Sequence, residues 1–548
     1  MSGSEEMCVT VTIPDGTLRG TKMISKGFTP VEYYSFLGIP YAKPPIGPLR
    51  FKEPQPFEPW TGVRDALKEG PSAPQKHFLF SYEMGEEDCL YLNVFTRQLS
   101  TQSADLKPVM FYIHAGGFTG GSGDTDVNGP DYLIEEDVVL VTINYRLGAL
   151  GFLSLENNKL PGNAGLKDQV LALEWVQRNI ACFGGDPNKV TLMGRSAGAA
   201  SVEYHLLSPL SKGLFHRAIL QSGSTMNPWA YEHNPKSFAL RLAKHLGYVG
   251  DDEDADSLLD FFLKVPAMTL VRSQGEILAE KERLHTSGLP FRPVVEKEGP
   301  GRQFITQTPR EIIKSGEFTQ VPMITGCTSN EGNLQIEIFT VCQEAFDKFN
   351  SNPDFLIPLN MQVPDNEKNL VAEEIQKFFF GEKQFCWDTV NQYVEFFGDI
   401  SFYIGLDVSL QLMLNKISSP VYNYLLSYEH VRSFMKHVAA EKYPDYVVQG
   451  VPHGDDFALL FSQSSEFPSG PIPADDQKCM KRMIKLWTTF AKTGNPNYNG
   501  IETKWEPTTS TKLQYYDLGK KFKMVPGRIH ERRIEFWAEL FNKYKSSY

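Results

Sequence analysis

Two apolar runs, Val109 to His114 (VMFYIH) and Val138 to Asn144 (VVLVTIN), are nearly free of polar residues and rich in β-branched and aromatic side chains. Runs of this kind predict strands buried on both faces. Lys167 to Ile180 (KDQVLALEWVQRNI) places apolar residues at helical spacing and precedes another short strand, Val190 to Met193 (VTLM). Ala218 to Gln221, Val321 to Thr325 and Val421 to Ser427 continue the series. Strands of this type with helices between them predict an α/β fold built on a mostly parallel sheet, covered by helices on both sides. The last third is richer in helix: Met480 to Lys492 (MKRMIKLWTTFAK) runs into Gly494-Asn495-Pro496, a C-terminal stop signal.

No internal repeat and no long Gly/Ser or Pro-rich linker divides the chain. The loosest stretch, Gln463 to Asp476 (QSSEFPSGPIPADD), predicts a surface loop. Residues 1–548 are therefore expected to form a single domain. An acidic run, Asp251 to Asp256, fails as a calcium loop, because Ser257 and Leu263 stand where an EF-hand needs Gly and Glu. It predicts a solvated turn ahead of the helix LLDFFLKV, where negative charge suits the helix dipole.

With 54 Lys and Arg against 66 Asp and Glu, the net charge is −12. That balance argues against nucleic acid or an anionic membrane surface as a partner. No stretch approaches the roughly 18 uninterrupted apolar residues of a spanning helix. The seven cysteines have no metal-ligand or CxxC spacing, and no Asn lies in an N-x-Ser/Thr sequon. The opening MSGSEEMCVTVT lacks the basic and apolar regions of a signal peptide, and the closing KSSY carries no retention signal. The cytoplasm is the expected compartment.

Chemistry concentrates in three places. Gly194-Arg195-Ser196-Ala197-Gly198 follows the strand VTLM and opens a helix rich in small residues. In that context G-x-S-x-G marks a sharp turn that lifts a serine hydroxyl above the sheet, with glycines making room for the backbone. A serine needs a base to take its proton, and the developing oxyanion needs donors fixed in advance. His114-Ala115-Gly116-Gly117-Phe118, directly after VMFYIH, resembles the HGGG loop that supplies such donors. The N–H groups of Gly116, Gly117 and Ala197 are the expected oxyanion hole. For the base, His430, His437, His453 and His530 lie late enough in the chain. His437 falls in a charged helical pattern and His530 in the terminal tail, whereas His453 follows the strand VYNYLLS by a long loop and precedes Gly454, and is the preferred base. Glu331, in the turn beyond VPMIT, is the expected acid in the order Ser, acid, His.

Further segments carry a family resemblance: Gly38 to Ala42 (GIPYA), Pro45 to Phe51 (PIGPLRF), Glu87 to Val94 (EDCLYLNV), Asn144 to Phe152 (NYRLGALGF) and Gln221 to Ser224 (QSGS). Over nearly the whole chain they resemble the type-B carboxylesterase and cholinesterase branch of the α/β-hydrolases, most of all insect cytosolic alpha-esterases. The resemblance implies a Ser196-Glu331-His453 triad, Ser222 in support of the acid, Trp229 walling the acyl pocket, and ion pairs Arg50–Glu87 and Arg146–Asp168. It implies no cofactor or metal. Uncharged carboxylic esters, xenobiotic or lipid-like, are the expected substrates, and organophosphates and carbamates the expected covalent inhibitors. Hydrolysis of a juvenile-hormone-type ester, sequestration of insecticide esters, and a non-catalytic adhesion role are the alternatives.

The chain also departs from the pattern. Secreted relatives pair the cysteine of EDCLYLNV with one shortly upstream, but Pro71 to Glu87 has none, so Cys89 is expected to be a free thiol. The same stretch lacks the tryptophan with which cholinesterases bind quaternary ammonium. Ala115 replaces the first glycine of the loop, and Arg195 stands where relatives often have Glu or Gln.

Overall fold

The structure is a computed structural model that describes residues 8–77, 82–99, 105–286, 288–335, 343–443, 446–463 and 470–544. In chain order its strands are β1 (Cys8–Ile13), β2 (Gly16–Ile24), β3 (Glu32–Pro40), β4 (Val63–Asp65), β5 (Gln75–Lys76), β6 (Glu83–Met84), β7 (Tyr91–Thr96), β8 (Lys107–Ile113), β9 (Val139–Ile143), β10 (Gly185–Arg195), β11 (Arg217–Gln221), β12 (Met323–Thr328), β13 (Val421–Leu426), β14 (Gln514–Leu518) and β15 (Phe522–Pro526). All but the β5–β6 hairpin join one sheet of order β1-β2-β3-β7-β9-β8-β10-β11-β12-β13-β14-β15, with β4 paired to β2. From β9 to β14 the neighbours run parallel, whereas β1, β2, β3 and β7 at one edge and β15 at the other are antiparallel.

The apolar runs explain this arrangement. Every residue of β9 and β13 is buried, as a strand covered on both faces requires, while β1 at the edge exposes half of its residues. Because side chains alternate along a strand, β8 feeds two cores: Val109, Phe111 and Ile113 pack with Trp175 and Val176 of the helix Ala164–Asn179. Met110 and Tyr112 pack on the other face with Met483 and Trp487 of the helix Ala474–Thr493. A third core, dense in aromatic rings, lies among the helices Lys368–Phe380, Val390–Gly398 and Glu531–Lys543 and reaches the sheet at Cys327 and Leu425.

The helix predicted from Met480 starts at Ala474, with Asp475 and Asp476 in its first turn, and stops at Gly494, whose φ of +77° is left-handed. The loop expected over Gln463 to Asp476 is thus shorter at its C-terminal end; its residues 464–469 lie outside the described residues. The acidic turn caps its helix: Asp254 Oδ1 accepts the N–H groups of Asp256 and Ser257, both at 3.1 Å. Among the described residues one helix, Trp387–Leu414, is long and apolar enough to cross a membrane by length and composition, but 67% of its apolar window is buried inside the protein.

Candidate active site

β10 delivers Ser196 to the carboxyl end of the sheet, between β8 and β11. Ser196 has φ 56° and ψ −122°, a conformation that L-residues rarely adopt. The flanking glycines are there because backbone occupies the space of a side chain. A Cβ on Gly194 would lie 2.3 Å from the Gly198 carbonyl, and one on Gly198 would lie 2.1 Å from Ile113 O. The strained turn is held by Ser196 N–H, which donates to Gln221 O at 2.7 Å. The contact of Gly198 with Ile113 O also brings the start of the helix Ala197–Leu207 against the end of β8 and the glycine loop that follows.

In that loop Gly116 has φ +114° and Gly117 φ +61°. Gly116 O accepts the N–H groups of Thr119 and Gly120 at 3.0 and 2.9 Å, which closes a tight turn. The N–H groups of Gly116, Gly117 and Ala197 donate to no protein acceptor among the described residues. Backbone donors left open beside a buried hydroxyl suit an incoming oxygen. The neighbouring His114 is turned away from such a role. Its Nδ1 lies 2.7 Å from Ala115 O, its ring stacks on Tyr145 at 4.4 Å, and burial lowers its pKa to about 4.

β12 extends through Gly326, Cys327 and Thr328, three residues beyond the strand predicted from sequence, and thereby carries Glu331 to the same end of the sheet. Glu331 is fully buried; Oε1 accepts Thr328 N–H at 2.8 Å and Oε2 is hydrogen-bonded to His453 Nδ1. The loops that bear the two residues are joined along their backbones. Asn330 N–H donates to Val451 O and Val451 N–H to Ser329 Oγ, each at 3.0 Å. With Nδ1 engaged by the carboxylate, Nε2 is the imidazole nitrogen left for chemistry.

Arg195 connects this pair to the serine turn. Its Nη1 donates to Gly454 O at 3.1 Å and its guanidinium lies 4.6 Å over the Phe457 ring, so the residue before Ser196 holds the residue after His453. No hydrogen bond joins Ser196 Oγ to His453 among the described residues, where the imidazole is bonded to Glu331. Behind the base, burial pushes the Asp455 carboxyl up to about 7.

Trp229 is buried, donates Nε1–H to Ser401 O at 2.8 Å and packs on Phe402 at 5.6 Å; the Phe402 ring in turn lies 4.5 Å from the imidazole of His453. The sequence reading missed Phe402, whose ring lies against His453, Tyr403, whose hydroxyl touches the Glu331 turn, and Leu289, whose side chain stands where a Cβ on Gly117 would lie. Ser222 takes a left-handed φ of 56° and donates its N–H to Gly326 O at 2.8 Å, but its Oγ has no partner among the described residues and does not bond Glu331. Both ion pairs implied by the resemblance are present: Arg50 with Glu87, and Arg146 with Asp168 at 2.6 Å in full burial. Cys89 is buried and unpaired, and burial pushes its thiol up.

A serine raised on a strained strand–helix turn, with a buried carboxylate–imidazole pair beyond later strands of one parallel sheet, defines the α/β-hydrolase fold. The carboxylesterase family model matches residues 7–537, and the chain belongs to that family. It is 36% identical over 539 residues to juvenile hormone esterase of Tribolium castaneum, covering 92% of this chain and 90% of the relative. It is 35% identical to a carboxylic ester hydrolase of Bombus ignitus, covering 97% and 94%. The crystal structure of juvenile hormone esterase from Manduca sexta, with OTFP covalently attached, superposes with a TM-score of 0.86 at 31% identity, covering 98% of this chain and all of that one. The protein is a carboxylic ester hydrolase.

Proposed function

We propose that residues 1–548 act as one catalytic unit that hydrolyses uncharged carboxylic esters through an acyl-enzyme on Ser196. His453 Nε2 takes the Ser196 proton as Oγ attacks the ester carbonyl, then returns it to the departing alkoxide. Glu331 orients the ring and stabilises the imidazolium. Water repeats the sequence to release the acid. The N–H groups of Gly116, Gly117 and Ala197 receive the oxyanion, each worth on the order of 10²–10³ in rate. The observation that carries this reading is the hydrogen bond between buried Glu331 and His453 Nδ1, on a base loop that Arg195 ties to the serine turn.

Trp229 and Phe402 give the acyl side an aromatic wall, which suits apolar rather than charged acyl groups. Ser222 would support the acid through the end of β11 rather than through its hydroxyl. Rates on p-nitrophenyl and naphthyl esters of increasing acyl length test the preference: kcat/KM should rise from acetate to a longer apolar acyl group, and a preference for choline esters would refute it.

The likeness to two juvenile hormone esterases favours one narrower reading, hydrolysis of that hormone. It predicts a kcat/KM for juvenile hormone well above that for naphthyl esters. Detoxification by sequestration, with organophosphates or carbamates as covalent ligands and a role in insecticide resistance, predicts instead a full acylation burst followed by slow turnover.

We place the protein in the cytoplasm, a reading supported by the free thiols of its described cysteines. Six of its seven cysteines lie in the described residues and are free; Cys342 is outside them. Purified protein, denatured without reductant and titrated promptly, is expected to show all seven thiols, and its Tm should not fall with dithiothreitol. Five thiols or fewer would point to an oxidising compartment.

A further inference from the structure

The helix Trp387–Leu414 contains a π turn, Asp399–Tyr403. Such turns are rare and recur at functional sites. This one is anchored on two sides. Asp399 accepts Arg533 Nε at 3.0 Å and Trp537 Nε1 at 3.1 Å from the helix Glu531–Lys543. Asn227 Nδ2, on the loop that carries Trp229, donates to Ser401 O and Phe402 O, both at 2.9 Å. The outcome is that consecutive residues serve the two halves of the acid–base pair: Phe402 lies against His453, and Tyr403 reaches the turn of Glu331.

The Tyr403 contacts are specific. Its hydroxyl accepts Glu331 N–H at 3.0 Å and donates to Thr328 O at 2.9 Å, while Thr328 N–H donates to Glu331 Oε1 at 2.8 Å. One buried hydroxyl therefore bridges both ends of the short turn that folds the carboxylate toward the imidazole. The ring meets His530 edge-on at 4.4 Å, with the Arg533 guanidinium 5.6 Å from its centre. Burial holds the phenol well above its ordinary range, so the donor is retained.

We infer that Tyr403 is a positioning residue for ester hydrolysis, fixing the Glu331 turn so that its carboxylate stays on His453 when the imidazole becomes charged. The inference rests on the triad proposed above. Without the hydroxyl, Thr328 O and Glu331 N–H are buried without a partner, and the turn shifts to satisfy them. A carboxylate displaced by a fraction of an ångström stabilises the imidazolium less.

Tyr403→Phe keeps the ring and its contacts and removes only the bridge. We expect kcat for a short naphthyl ester to fall about tenfold with KM within about twofold. An opposite charge that moves away favours the neutral imidazole, so the acid limb of the kcat/KM profile should move to lower pH. The titratable and charged groups around this site include Arg195 on the serine turn, Asp455 and Asp456 on the turn after His453, His430 bonded to Asp455 O, and His530 and Arg533 against the Tyr403 ring, all unchanged in this variant. In a Glu331→Gln background, Tyr403→Phe should cost little more. Were Tyr403→Phe not to fold, Tyr403→4-aminophenylalanine, which keeps a donor to Thr328 O and loses the acceptor for Glu331 N–H, would carry the same readouts against wild type, with a fall in kcat and a shift of the acid limb in the same direction. The inference is overturned if Tyr403→Phe keeps wild-type kcat and acid limb while Glu331→Gln is inactive. It is also overturned if Tyr403→Phe costs another tenfold without Glu331. A Glu331→Gln enzyme with wild-type kcat, rather than a small measurable residue of it, would instead remove the triad reading itself.

Discussion

Ser196→Ala is expected to reduce turnover of a short naphthyl ester by at least about a thousandfold while leaving the fold intact. The hydroxyl is the proposed nucleophile, and neither His453 nor Glu331 replaces it, because in the proposed reaction the first carries its proton and the second stabilises the resulting imidazolium. Stability should survive because the turn is built by backbone, not by Oγ. Ser196 N–H bonds Gln221 O, Gly223 and Gly198 pack against backbone, and an alanine side chain occupies less space than serine. The variant should melt within a few degrees of wild type, with its strained φ unchanged. Activity above a few per cent of wild type would move the nucleophile elsewhere in the chain.

The second large effect concerns the oxyanion hole. Gly117→Asp should lower ester hydrolysis by at least about tenfold, since a carboxylate beside the donors repels the charge they must stabilise. Gly117 is the better position to probe. Its φ of +61° lies in the left-handed region that aspartate tolerates better than most residues, and the atoms nearest a Cβ there all belong to the flexible Leu289 side chain rather than to backbone. At Gly116 the Cβ would lie 2.1 Å from Gly120 O, so a substitution would break the loop rather than test its charge. Ala115→Gly, at a position given no donor role, should change kcat by less than about threefold. Full activity in Gly117→Asp together with loss in Ala115→Gly would assign the donors to other residues.

How much of this was legible in the chain depends on where the determining contacts lie. β8, β9 and β13 could be read directly because burial on both faces leaves few polar residues to break the pattern, Thr142 in β9 and Asn423 in β13 being themselves buried. The serine turn was legible because its glycines answer a local steric demand. The far end of β12 was not: Gly326-Cys327-Thr328 has little strand character of its own and is held by β13, with Gly326 required because the Tyr424 ring fills the space of a side chain. The roles of Phe402 and Tyr403 were equally hidden. Their segment reads as an apolar helix, and its π turn is fixed by Asn227, Arg533 and Trp537, which are remote in sequence. Arg195 was visible as a charge beside the nucleophile, but its partner, Gly454 O, exists only in the folded chain. Ser222 was expected in support of the acid; its N–H bonds Gly326 O on the strand that leads to Glu331, a link that only the folded sheet provides.

The central claim is that catalysis passes through a covalent adduct on Ser196. Intact-protein mass spectrometry after brief treatment with a fluorophosphonate ester, followed by fragmentation of the labelled peptide, tests it most directly. One adduct per chain is predicted, located on Ser196 within Gly194-Arg195-Ser196-Ala197-Gly198, formed in parallel with loss of esterase activity and absent from Ser196→Ala. Complete inactivation with the label on another residue, or equal labelling of Ser196→Ala, would contradict the account.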